Sequence, residues 1–133
     1  MSSARWRFTL LAAVALGAAC SNDPTSGAPR AGTLTLRLST PRSDDGALLF
    51  EVSGPPIDTA VVVNGSLQLF TRRADGSTVV GAVVGGLTNG ALVTLRVPDV
   101  GAAGGYTARV LEVADRQNVL RTSLAGYALT VTP

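Results

Sequence analysis

The sequence predicts an all-β protein, built as a single small antiparallel β-sandwich behind an N-terminal stretch of a different character. Three observations predict it. Apolar and polar residues alternate with period two in segment after segment, as half-buried strands require. Clusters of Gly, Pro, Asn and Asp interrupt these segments about every 8 to 12 residues. No window sustains the 3.6-residue period of an amphipathic helix. The length, 133 residues, allows one domain.

Residues 1–19 differ from all that follows. Arg5 and Arg7 lie in a short polar start, and Phe8 to Ala19 is an apolar run. A helix needs about 20 apolar residues to span a bilayer. This run is shorter, and Ser21-Asn22-Asp23-Pro24 ends it. The layout is that of an export signal, cleaved after residue 19. Leu16-Gly17-Ala18-Ala19-Cys20 resembles the lipobox of bacterial lipoproteins: two small residues stand before the single cysteine, and Gly17 sits where Leu is commonest. The resemblance implies thioether lipidation of Cys20, cleavage before it and acylation of the new amino terminus. It also implies a membrane as partner, reached through those acyl chains. Ser21, where Asp would mark inner-membrane retention, implies the outer membrane. One acyl chain holds a protein only marginally, at about 0.8 kcal/mol per buried methylene, so anchoring needs the two or three chains this modification supplies.

Residues 20–32 are then the lipidated cysteine and a flexible linker, since SNDPTSGAPRAG is too polar and too rich in Gly and Pro to bury a core. The sandwich occupies 33–133. Thr33 to Ser39 alternates Leu34, Leu36 and Leu38 with polar residues, and Pro41 to Gly46 is a turn. In 47–53, Leu48, Phe50 and Val52 form the inward face. Val61 to Val63, Asn64-Gly65 and Leu67 to Arg72 read as a β-hairpin with a type I′ turn. Further strands are expected at 78–84, 91–97, 106–113, 119–122 and 127–132. Size and strand rhythm suit an immunoglobulin-like or jelly-roll-like sandwich. The Cys–Trp–Cys framework of true immunoglobulin domains is missing, and the likeness to cohesin-type modules rests on rhythm alone.

Composition excludes much chemistry. The chain has no His and no Lys. Ser-His-Asp and Cys-His catalysis, Schiff-base chemistry and Cys/His zinc sites therefore have no residues to use. Gly81, Gly85 and Gly86 lie among valines with no helix after them, so they do not form a phosphate loop. No catalytic residue and no cofactor is assigned, and the protein is read as a non-enzyme. From Cys20 onward nine Arg balance nine acidic residues, scattered rather than gathered on one face, which is unsuited to binding nucleic acid.

Four weaker signals remain, and each has a plainer reading. Asp44, Asp45 and Asp99 could offer oxygens to calcium, but Asp and Gly are favoured in turns anyway. No metal ligand is assigned. Asn64-Gly65-Ser66 fits a glycosylation sequon but is better explained by its turn. Arg72-Arg73 could meet an anionic partner, or be one exposed and one half-buried arginine at a strand end. Tyr106 and Tyr127 could line a sugar-binding surface, or anchor strand ends through their hydroxyls. Phe50 and Phe70 read as core. The expectation is a membrane-anchored lipoprotein carrying a non-catalytic binding or structural module. A carbohydrate-adhesion module is the alternative, a small enzyme a more distant one, and the protein or polysaccharide partner is open.

Overall fold

The structure is a computed structural model and describes residues 27–133. Cys20, the apolar run and most of the expected linker lie outside the described residues. The chain is held in place from Arg30, whose carbonyl accepts from Val100 N at 2.8 Å and whose amide donates to Asp99 Oδ1 at 3.2 Å.

Eight strands follow: β1 (Gly32–Ser39), β2 (Asp45–Ser53), β3 (Thr59–Val62), β4 (Gln68–Asp75), β5 (Thr78–Val84), β6 (Gly90–Val97), β7 (Thr107–Asp115) and β8 (Ala128–Thr132). They form two four-stranded antiparallel sheets, ordered β3-β6-β1-β8 and β4-β5-β2-β7, packed face to face as a small sandwich. Strands β1 and β8, β2 and β7, β3 and β6, and β4 and β5 are partners. That is the pairing of one long hairpin folded over on itself. The β1–β6 and β2–β5 ladders complete the sheets.

The core is what the period-two faces predict. Leu34, Leu36 and Leu38 from one sheet meet Leu48, Phe50 and Val52 from the other, with Val83, Val93, Leu95, Val97 and Val113 around them. Phe50 pairs with Gly81 across the β2–β5 ladder. A Cβ built on Gly81 would lie 2.7 Å from Cε1 of the Phe50 ring, so the missing side chain is what leaves room for the end of the ring there.

Four expectations are corrected. Asn64-Gly65 does not close a hairpin, because β3 pairs with β6 and β4 with β5, in different sheets. Neither residue has the positive φ that a type I′ turn demands. The segment is a crossover turn, closed by Leu67 N to Asn64 O at 3.0 Å, with Asn64 Oδ1 accepting from Ser66 N. Residues 119–122 are not a strand and add only a bridge between Ala114 and Leu120. Their backbone meets β7 through Asp115 N to Val119 O at 2.9 Å and Arg121 N to Val113 O at 2.8 Å, too short a ladder to make a strand. Phe70 is not core: it is 60% exposed on the outer face of its sheet, opposite Ala82. Its strand carries apolar residues on both faces, so periodicity cannot orient it. Arg72 and Arg73 are both exposed, though Arg73 donates to the carbonyl of Ile57.

A short 3-10 turn (Val100–Gly105) precedes β7, with Asp99 as its cap accepting from Gly101 N at 2.9 Å. It lies at the end of the sandwich where β1 begins. The opposite end gathers the 40–44, 85–89 and 116–127 loops.

Candidate functional site

Asp45 begins β2 at the loop-rich end and is fully buried. A carboxylate in that position is costly unless its lone pairs are filled. Here they are. Thr40 Oγ1 donates to Oδ2 at 2.6 Å. Oδ1 accepts from Arg121 Nε at 3.1 Å, Arg121 Nη2 at 2.9 Å and the Tyr127 hydroxyl at 2.8 Å. Arg121 Nη2 also reaches Asp44 Oδ1 at 2.6 Å, and Nη1 lies 4.0 Å from Asp115 Oδ2. Burial pushes the Asp45 carboxyl pKa up, but the hydrogen bonds from Thr40, Arg121 and Tyr127 outweigh it and hold the group below the ordinary carboxylate value. The Tyr127 hydroxyl is shifted up, by burial first and then by its bond to Asp45. Arg121 is shifted up as well, chiefly by its hydrogen bond to Asp45.

This arrangement ties the 116–127 loop to the start of β2. Its geometry leaves no carboxylate oxygen of Asp45 aimed at open space. Asp99 does not join Asp44 and Asp45, because it caps the 3-10 turn at the other end. Among the described residues no group of three or more metal-ligating side chains converges.

The two tyrosines are also separated. Tyr127 is at the loop-rich end. Tyr106, buried beside the start of β7, donates to the Pro56 carbonyl at 2.7 Å near the opposite end. Burial, then the charges of Asp58 and Asp99, raise its pKa. Both hydroxyls serve the strand-anchoring role, and the structure does not bring the rings together into a platform.

What the structure exposes instead is the outer face of the β4-β5-β2-β7 sheet. Ladder register sorts this face into rows across the four strands. One row reads Gln68, Val84, Ala47, Ala114. The next reads Phe70, Ala82, Leu49, Glu112. The third reads Arg72, Val80, Glu51, Arg109. The first two rows are apolar apart from their ends, and the third is charged apart from Val80. Phe70 stands out of the surface, with Val84 at 43% and Leu120 at 58% exposure toward the loop-rich end. Leu49, Val80 and Ala82 form a half-buried floor beneath the Phe70 ring. A solvent-facing sheet surface ordinarily carries polar residues on this side of the alternation, and this face departs from that rule in its first two rows. Arg109 Nε binds Glu51 Oε1 at 3.0 Å. Arg72 and Glu112 make no ion pair among the described residues.

Sequence reasoning did not find Arg121, Thr40 or this face. The signal for the face was present in the consecutive apolar residues of 78–84 and in Leu49, but it reads equally well as a strand buried on both sides.

No family model, no curated protein and no solved structure matches the chain.

Proposed function

We propose that the chain is a lipid-anchored, non-catalytic module of the cell envelope that binds through the outer face of its β4-β5-β2-β7 sheet. The anchoring half rests on residues 1–20: a charged start, an apolar run of signal length and Cys20 after two alanines. The ordered chain enters the sandwich through Arg30 and Gly32, at the end carrying the 3-10 turn. A tether running from Cys20 therefore reaches the domain at that end and leaves the loop-rich end and both sheet faces free to meet a partner. An outer-membrane address is the version of this reading that Ser21 favours.

The observation that carries the binding half is Phe70. Leaving a phenylalanine 60% exposed over Leu49, Val80 and Ala82 forgoes roughly 1–2 kcal/mol of burial. Shape-complementary contact with another apolar surface would recover that. Catalysis has no comparable support, since the carboxylate that is buried among the described residues, Asp45, has its oxygens engaged by Thr40, Arg121 and Tyr127.

Replacing Cys20 with Ser is expected to abolish incorporation of labelled fatty acid and to leave the signal segment uncleaved by the lipoprotein pathway. Labelling of the Cys20→Ser chain at wild-type level would defeat the anchoring half.

A further inference from the structure

We propose that Asn64 is a site of spontaneous covalent modification, losing its side-chain amide through a cyclic imide formed with Gly65, while the other Asn-Gly pair of the chain, Asn89-Gly90, is protected by the fold. Neither the anchor nor a binding face is needed for this.

In an Asn-Gly pair the glycine amide nitrogen, once deprotonated, attacks the side-chain carbonyl carbon of the asparagine. The N–Cγ bond forms, the Cγ–Nδ2 bond breaks, and Nδ2 takes up a proton and leaves as ammonia. Water then opens the five-membered imide at either carbonyl. The products are aspartate, or isoaspartate with one more methylene in the backbone. Each carries a negative charge that asparagine lacks. Glycine favours closure because no side chain crowds its nitrogen and its backbone is the least restricted.

The chain holds two such pairs, and local sequence treats them alike. Asn64-Gly65 lies exposed in the crossover turn between β3 and β4. Among the described residues, the donors to the Asn64 side chain are Ser66 N and Ser66 Oγ, each 3.0 Å from Oδ1. Both belong to the same turn and move with it. Among the described residues the Gly65 amide donates no backbone hydrogen bond. A Cβ built on Gly65 would meet nothing within 4 Å. The attacking nitrogen is therefore free, and the turn has room to rearrange around the ring.

Asn89-Gly90 is held from outside. Asn89 Oδ1 accepts from the amide of Thr40 at 2.6 Å, and Thr40 is a buried residue 49 positions away. Gly90 begins β6, where it pairs with Leu38 and has a φ of 123°. Closing the imide there takes the Asn89 side chain away from Thr40 and bends the first residue of β6 out of its ladder. Leaving a part-buried amide unpaired slows the reaction at least about 10-fold.

The modified residue sits at the loop-rich end, where Ser66 and Leu67 lie against Gly85. Nine Arg balance nine acidic residues from Cys20 onward, so a single event leaves that part of the chain net negative.

The test incubates the full folded chain in non-ionic detergent at mildly alkaline pH and samples it over time. Trypsin cuts after arginine, and with no lysine in the chain it separates the two pairs into peptides 43–72 and 74–96. Mass spectrometry is expected to find the change from amide to acid in the first peptide, in aspartyl and isoaspartyl forms, at least about 10-fold faster than in the second. In denaturant the two rates converge, because the fold is what separates them. Gly65→Ala leaves circular dichroism unaltered and slows the change at Asn64 at least about 10-fold. Equal rates in the folded chain overturn the proposal, as does an Asn64 that keeps its amide while the unfolded chain reacts. A rate difference that persists in denaturant also overturns it, since local sequence would then be the cause.

Discussion

Replacing Asp45 with Ala is expected to destabilise the domain by about 3–5 kcal/mol, the range for removing one partner of a buried ion pair. The loss is large because three other groups depend on that carboxylate. Arg121 keeps only its exposed bond to Asp44 and a distant Asp115, Tyr127 loses its acceptor, and Thr40 is left with the Arg42 carbonyl at 3.3 Å. Domains of this kind hold about 5–15 kcal/mol in total, so chemical denaturation would register the change as a lower midpoint. Arg121→Ala is expected to cost a similar amount, because it leaves the fully buried Asp45 carboxylate without its cation, held by Thr40 and Tyr127 alone. The double variant is expected to fall short of the sum of the two singles, since both remove the same bonds.

The same carboxylate sets an acid limit. Its folded pKa lies below the ordinary value. Its contribution is therefore complete above the unfolded value of about 3.9 and is lost as pH falls from there through the folded pKa. The gap in unfolding free energy between wild type and Asp45→Asn is expected to be constant near neutrality and to narrow below about pH 4. A gap that widened on acidification would contradict the ion-pair account.

Gly81→Val is expected to cost about 1–3 kcal/mol, and more if the sheets separate, because its side chain must occupy the space of the Phe50 ring. That ring is 1% exposed and packed on every side by the core. Substituting Phe50 with Leu in the Gly81→Val background shortens the obstacle and is expected to return part of the loss, although Phe50→Leu alone destabilises. Independent, additive effects of the two changes would show that the ring does not lie over Gly81.

The parts of this fold legible in the sequence are those where one side of a strand is apolar and the other is not. Thr33 to Ser39 and Ala47 to Ser53 show their inward faces directly, and Leu34, Leu36, Leu38, Leu48, Phe50 and Val52 are all buried. Where both sides are apolar the pattern loses direction. Leu69 and Phe70 are neighbours in an apolar run, and only the pairing of Phe70 with Ala82 shows which one faces water. Asn64-Gly65 carries a turn signal that is the same whether the flanking strands pair with each other or cross to opposite sheets. The buried ion pair was out of reach for a different reason: Asp45 lies 76 residues from Arg121 and 82 from Tyr127, and only the rolled pairing of strands brings them together. Local pattern identified Asp44-Asp45-Gly46 as a turn, but not that the second aspartate faces inward.

A processed lipoprotein carrying this sandwich differs from an unprocessed chain in its covalent state in its own membranes. Trp6 is the single tryptophan of the chain, and it precedes Cys20 together with Arg5 and Arg7. Mass spectrometry of the membrane-derived protein is expected to find a mature chain that begins at an acylated Cys20. No peptide containing Trp6 would be present, and the denatured protein would show tyrosine emission without tryptophan emission. A Trp6 peptide, or an unmodified Cys20 in the membrane-bound protein, would contradict it.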